Sequence, residues 1–162
     1  MEYVSDKTGK VKVEVEQKVI YTIGFTGKSA EEFFPLLKKA GIKILIDIRL
    51  NNSSQLAGFT KGKDLAYFVK EILGGQYHHL IQLAPTKEML NKYQRDNNWG
   101  IYETEFMALL DMRKIENNVD MELLKGPSVL LCSEKTAEKC HRRLVAEYVQ
   151  KRMLPDFEIV HL

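Results

Sequence analysis

Apolar residues gather in short runs along the chain, and these runs alternate with stretches whose apolar positions recur at helical spacing. Val19-Ile20-Tyr21-Thr22-Ile23-Gly24 is the first run, of the kind that forms a buried strand. Ser29-Ala30-Glu31-Glu32 follows as a capping box, the Ser29 hydroxyl accepting from the amide three residues on while Glu32 reaches back. The helix it starts carries Phe33, Leu36 and Leu37 and stops at Gly41. Lys43–Arg49 reads as a second strand, and strand, helix and strand within about 30 residues make a βαβ unit with a right-handed connection.

The alternation continues through a polar loop from Leu50 to Gly62, a helix from Lys63 to Leu73 closed by Gly74-Gly75, and a third strand at Gln76–Gln82. Helical stretches at Thr86–Asp96 and Tyr102–Glu116 come next, the second with Phe106, Leu109 and Leu110 on one face. Pro127–Cys132 is a fourth strand, Ala137–Met153 a long helix and Phe157–Leu162 a fifth strand. The pattern predicts an α/β fold: an open, mostly parallel sheet with helices on both faces, formed by residues 18–162 as a single domain. Residues 1–17 read as an N-terminal β extension, with turn chemistry at Asp6-Lys7-Thr8-Gly9 and Val11, Val13 and Val15 alternating with Lys12, Glu14 and Glu16.

Composition adds bounds. With 162 residues and 44% apolar content the chain can bury one sizeable core without cross-links. Its 28% charged residues nearly cancel to +2, which argues against a long nucleic-acid groove or an anionic membrane as partner and leaves room for a local basic face. No apolar run approaches the roughly 18–20 residues of a bilayer span, and the polar N-terminus is unlike a secretion signal, so a cytoplasmic protein is expected. Two cysteines are too few for a disulfide scaffold or a four-thiolate zinc site.

In parallel sheets, ligands bind beyond the carboxyl ends of the strands. The polar residues expected there are Gly24 to Lys28, Asp47 with Arg49, His78 or His79, and Cys132-Ser133-Glu134-Lys135. The last group leads into a helix expected to carry Cys140 and His141 in its first turn or just after. A helix start offers unpaired amides and a partial positive charge that favour an anion and lower the pKa of a nearby thiol. Structural readings compete with each of these. Cysteines are often core residues; Arg142 has Glu138 four residues earlier, and Arg143 has Glu147 four residues later, as ordinary helix-surface partners. Asp47 and Arg49, on one side of their strand, could be a plain ion pair, and Trp99 and Tyr102 could be a lid or core anchors.

These motifs together, Tyr21-Thr22-Ile23-Gly24, Asp47-Ile48-Arg49, Tyr77-His78-His79-Leu80, Leu83-Ala84-Pro85-Thr86 and above all Cys132-Ser133-Glu134 with Cys140-His141-Arg142, resemble the domain-of-unknown-function 488 family from Val19 to Leu162. The resemblance implies a Rossmann-like α/β domain of microbial origin. It also implies that Asp47, Arg49, Cys132, Glu134, Cys140, His141 and Arg142 occupy the positions of the family's polar signature. The family often has a histidine after the first-strand glycine; here that residue is Phe25, followed by Thr26, which keeps a hydroxyl.

The leading functional expectation is an enzyme acting on a small anionic or nucleotide-like substrate. Cys132, Glu134, Cys140 and His141 are its candidate catalytic residues, and Asp47, Arg49, Arg142 and Thr26 its candidate substrate contacts. Ligation of zinc or iron by Cys132, Cys140 and His141 is disfavoured by spacing, because adjacent helical residues diverge by about 100°; no metal is assigned, and any other cofactor is left open. The rivals are a non-catalytic module for a nucleotide or nucleic-acid end, using Arg142, Arg143, Lys151 and Arg152, and a redox-sensing Cys132–Cys140 pair. Oligomeric state is not legible.

Overall fold

The computed structural model describes residues 3–5, 11–13, 18–53 and 58–162. Strands β1 (Tyr3–Ser5) and β2 (Val11–Val13) pair antiparallel in a two-stranded sheet of their own, separate from the main sheet. The Asp6-Lys7-Thr8-Gly9 turn and Glu14, Val15 and Glu16, read as part of the extension, lie outside the described residues.

The main sheet holds β3 (Val19–Gly24), β4 (Ile44–Asp47), β5 (Gln76–His79), β6 (Ser128–Cys132) and β7 (Glu158–His161), in the order β5-β4-β6-β3-β7 with every neighbouring pair parallel. The central strand β6 is buried along its whole length. Its alternation serves two cores, as the period of 2 requires. Val129 and Leu131 meet Phe33, Leu37 and Leu65 on one face, whereas Leu130 meets Phe106, Leu144 and Val149 on the other. Full burial of each such leucine contributes about 1.5–3 kcal/mol. The first face is covered by α1 (Ala30–Lys39) and α2 (Gly62–Phe68) and the second by α4 (Trp99–Met112) and α7 (His141–Arg152), giving the Rossmann-like α/β architecture expected.

The capping box forms as read: the Ser29 hydroxyl accepts from the Glu32 amide at 3.2 Å and the Ser29 amide donates to the Glu32 carboxylate at 2.8 Å. Replacing Ser29→Ala should therefore cost about 1 kcal/mol, seen as a melting temperature lower by roughly 2–4 °C, while Glu31→Ala should cost less. A thermal denaturation scan of the two variants checks this.

Several boundaries differ from expectation. The third strand ends at His79 because the chain turns into a 3-10 segment at Ile81–Leu83. After α3 (Lys87–Asp96), α4 starts at Trp99, its Asn98 cap accepting from the Ile101 amide. It stops before Lys114, whose φ of +49° no helix accommodates. The short helices α5 (Ile115–Asn118) and α6 (Met121–Lys125) then complete the crossover to β6. Among the described residues no helix is long and apolar enough to cross a membrane.

Candidate functional site

Parallel register places the end of β6 between two other strand ends. Cys132 lies beside Gly24 of β3, and the Ile48 amide donates to the Leu131 carbonyl at 3.1 Å, carrying the end of β4 alongside. Beyond Cys132 the expected helix start at 137 is not found. Residues 133–140 form an irregular loop, and α7 begins only at His141, with Cys140 in extended backbone as its N-cap residue. The cause is Arg142, which is 1% exposed. Its Nη1 donates to the Glu134 carbonyl at 2.6 Å and lies 3.4 Å from the Cys140 sulfur, and its Nη2 reaches the Lys135 carbonyl at 3.4 Å. The loop wraps this guanidinium instead of coiling into the helix, and the surface pairing with Glu138 does not form.

The wrap gathers three reactive groups. The sulfurs of Cys132 and Cys140 and a ring nitrogen of His141 all lie within 4.8 Å of one another, and all three residues are buried. Cys132 Sγ is 3.4 Å from His141 Nδ1, and His141 Nε2 is 2.8 Å from the Ile48 carbonyl. A carbonyl only accepts, so Nε2 carries the hydrogen and Nδ1 presents its lone pair to the sulfur when the ring is neutral. The Ile48 carbonyl is thus the orienting group that no side-chain pattern in the sequence discloses. The edge of the Phe106 ring packs against the imidazole and fixes its plane.

The two thiols are driven apart. Cys132 is held below the usual thiol range by a hydrogen bond from Cys140, by the amides of Glu134 and Ser133 and by the charge of Arg142, which together outweigh burial. Cys140 is pushed up, because it supplies that hydrogen bond and is itself buried. Among the described residues no carboxylate pairs with the buried Arg142; its charge acts on Cys132 through space, while its Nη1 reaches the Cys140 sulfur.

Cys132, Cys140 and His141 form the floor of a cavity of about 300 Å³. Glu134, Ser133 and Lys139 contribute from the loop, Arg49, Leu50 and Asn51 from the segment after β4, and Tyr93, Gln94, Trp99 and Tyr102 from the crossover helices. Trp99 stacks on Tyr102 at 5.2 Å and Tyr102 on Phe106 at 6.1 Å, so one aromatic ladder runs from the rim to His141. Tyr93, Gln94, Asn51 and Lys139 are lining residues that sequence reading missed. Trp99 and Tyr102, three residues apart on a helix, gave the only signal, and that spacing fits a core anchor equally well.

The remaining expected residues are distributed unevenly. Asp47, fully buried, accepts from the Arg49 amide, from Arg49 Nε and Nη2 at 2.8 and 2.5 Å and from the Tyr77 hydroxyl at 2.7 Å. Its carboxylate is committed to Arg49 and Tyr77, and it does not line the cavity. Arg49 does, and its Nη1 is buried with no hydrogen-bond partner among the described residues. His79 braces this turn by donating from Nε2 to the Arg49 carbonyl at 2.7 Å. Thr26 is exposed; its amide donates to the Ser133 carbonyl at 3.0 Å and it lines no part of the cavity. Arg142 is likewise absent from the lining, placed to hold the loop and the thiols. A larger groove of about 640 Å³ lies against α1 and α2, but its walls are mainly Phe34, Pro35, Phe59, Phe68 and Ile72, with Glu31, Lys38 and Lys39 as its charged residues.

A parallel α/β sheet with a thiol–imidazole pair at the end of its central strand defines the class of protein. The family model for the domain of unknown function DUF488 matches residues 29–149, so the chain belongs to that family. The matched span includes every expected site residue except Thr26. No match was found among curated proteins or among solved structures.

Proposed function

We propose that the protein is a thiol-dependent enzyme acting on a small anionic or nucleotide-like substrate. The observation that carries this reading is the Cys132–His141 contact at the floor of a cavity also lined by Arg49. Cys132, having given its proton to His141 Nδ1, attacks an electrophilic centre of the substrate as the thiolate, and His141 passes that proton to the departing group. Water, losing its proton to Glu134, next attacks the covalent intermediate and the Cys132 sulfur departs as thiolate. Arg49 supplies an unsatisfied guanidinium donor to a negative group, and the Trp99–Tyr102 wall accepts a flat ring. Two free thiols suit a reducing, cytoplasmic compartment.

Binding of a nucleic-acid end is less well supported. Of the cations it would use, Arg142 is buried, Arg143 pairs with Glu147 and Glu103, and Arg152 pairs with Asp111, which leaves the exposed Lys151. The test is alkylation of the native protein with limiting iodoacetamide at neutral pH, mapped by peptide mass spectrometry. Cys132 should be modified first, and His141→Gln should slow its modification by on the order of a hundredfold. Preferential labelling of Cys140, or two inert thiols, would sink the proposal.

A further inference from the structure

Adjacent residues of a regular helix diverge too far to share a metal ion, but Cys140 and His141 do not both sit on one. Cys140 is in extended backbone, and its sulfur, the Cys132 sulfur and a ring nitrogen of His141 all lie within 4.8 Å of one another. We infer that Cys132, Cys140 and His141 form a three-ligand site for a Zn²⁺ ion, whose fourth position opens into the substrate cavity.

Three observations carry this. Tetrahedral zinc with sulfur at about 2.3 Å and nitrogen at about 2.0–2.1 Å needs sulfur and nitrogen ligands roughly 3.5 Å apart, and Cys132 Sγ and His141 Nδ1 are 3.4 Å apart. The Ile48 carbonyl holds His141 Nε2–H at 2.8 Å, leaving Nδ1 free to ligate in the orientation that outer-shell carbonyls impose on metal-bound histidines. Arg142 Nη1 stands 3.4 Å from the Cys140 sulfur as an N–H donor to a thiolate ligand. Two thiolates cancel the charge of the ion, so Arg142 leaves the centre cationic and the open position suited to an anion. Three protein ligands with one open position is the arrangement of catalytic zinc sites, whereas structural sites close all four.

Zinc ligation suppresses nucleophilic attack by Cys132, since donation to the metal draws charge off its sulfur. Zinc therefore caps the thiol centre. This regulatory part rests on the thiol-enzyme reading; the metal site itself does not.

The test uses the full chain, dialysed against a chelator and titrated with Zn²⁺, with Co²⁺ as a spectroscopic probe. One Zn²⁺ per chain is expected, with thiolate-to-metal charge-transfer absorption for Co²⁺, and equimolar Zn²⁺ should block iodoacetamide at Cys132 until chelator restores it. Cys140→Ser should weaken binding by more than the roughly 10–100-fold that a lost outer-shell contact costs. Should that variant misfold, zinc protection of the wild-type thiols still decides the matter. Absence of stoichiometric binding, or binding unaltered by Cys140→Ser, overturns the site even if the zinc-free thiol proves reactive. Stoichiometric zinc over inert zinc-free thiols supports the site and sinks the thiol-enzyme reading.

Discussion

Replacing Asp47→Ala should destabilise the protein by about 3–5 kcal/mol, the cost of stripping one partner from a buried ion pair. Asp47 is fully buried and Arg49 is 3% exposed, so neither charge can turn to water when the other is lost. The carboxylate receives the Arg49 amide, two guanidinium nitrogens and the Tyr77 hydroxyl. Its removal leaves the Arg49 Nη2 bond to the Thr60 carbonyl and a cation stacked 5.2 Å from the centre of the Phe25 ring, and these do not replace an anion. In urea the midpoint should fall with an unchanged slope. Truncating both partners, Asp47→Leu with Arg49→Met, should recover much of the loss, because two apolar side chains leave no buried charge behind. A single Asp47→Ala variant within about 0.5 kcal/mol of wild type would mean that the pair is open to solvent.

The strands and the position of the site were legible because both rest on local signals. Apolar runs such as Val19–Gly24 and Pro127–Cys132 mark buried strands, and strand-end polar residues mark where ligands bind in parallel sheets. The order of the strands was not legible. Insertion of β6 between β3 and β4 is a pairing of residues some hundred positions apart, and nothing near either strand encodes it. The two short helices before β6 are too brief to show a period.

The late start of α7 has the largest consequence for the chemistry. Thr136 and Ala137 resemble a helix start, and Glu138 lies at the right spacing to pair with Arg142 on a surface. Tertiary contacts overrode both signals: the guanidinium lies inside, bonded to the loop carbonyls, and it delays the helix to His141. The same shift turns two diverging helical residues into neighbours that share a centre. Arg49 and Asp47 show the opposite case. Their common side was readable from strand parity, but which of the two would face the cavity depends on Tyr77 and His79, supplied by the neighbouring strand.

A comparably severe single-residue effect should come from Gly24→Ala. A Cβ built on Gly24 would stand 1.7 Å from the Glu134 carbonyl oxygen and 2.7 Å from Arg142 Nη1, against 3.4–4 Å for ordinary contact. The nearest opposing atom is backbone, which cannot rotate away as a side-chain tip can, so the loop must retreat by well over an ångström. Retreat breaks the Thr26 amide bond to the Ser133 carbonyl and pulls the Glu134 carbonyl from the Arg142 guanidinium, leaving a buried cation with fewer acceptors. The stability loss should reach about 3 kcal/mol or more, a fall in melting temperature of roughly 6–12 °C. Because the Ser133 and Glu134 amides support the Cys132 thiolate, alkylation of Cys132 in the folded fraction should slow as well. Gly58→Ala is the matched control: its added Cβ meets nothing within 4 Å among the described residues, and it should melt close to wild type. A Gly24→Ala protein as stable as that control, with Cys132 still reactive, would show that the loop does not lie against the end of β3, and with it the geometry of the whole centre would have to be redrawn.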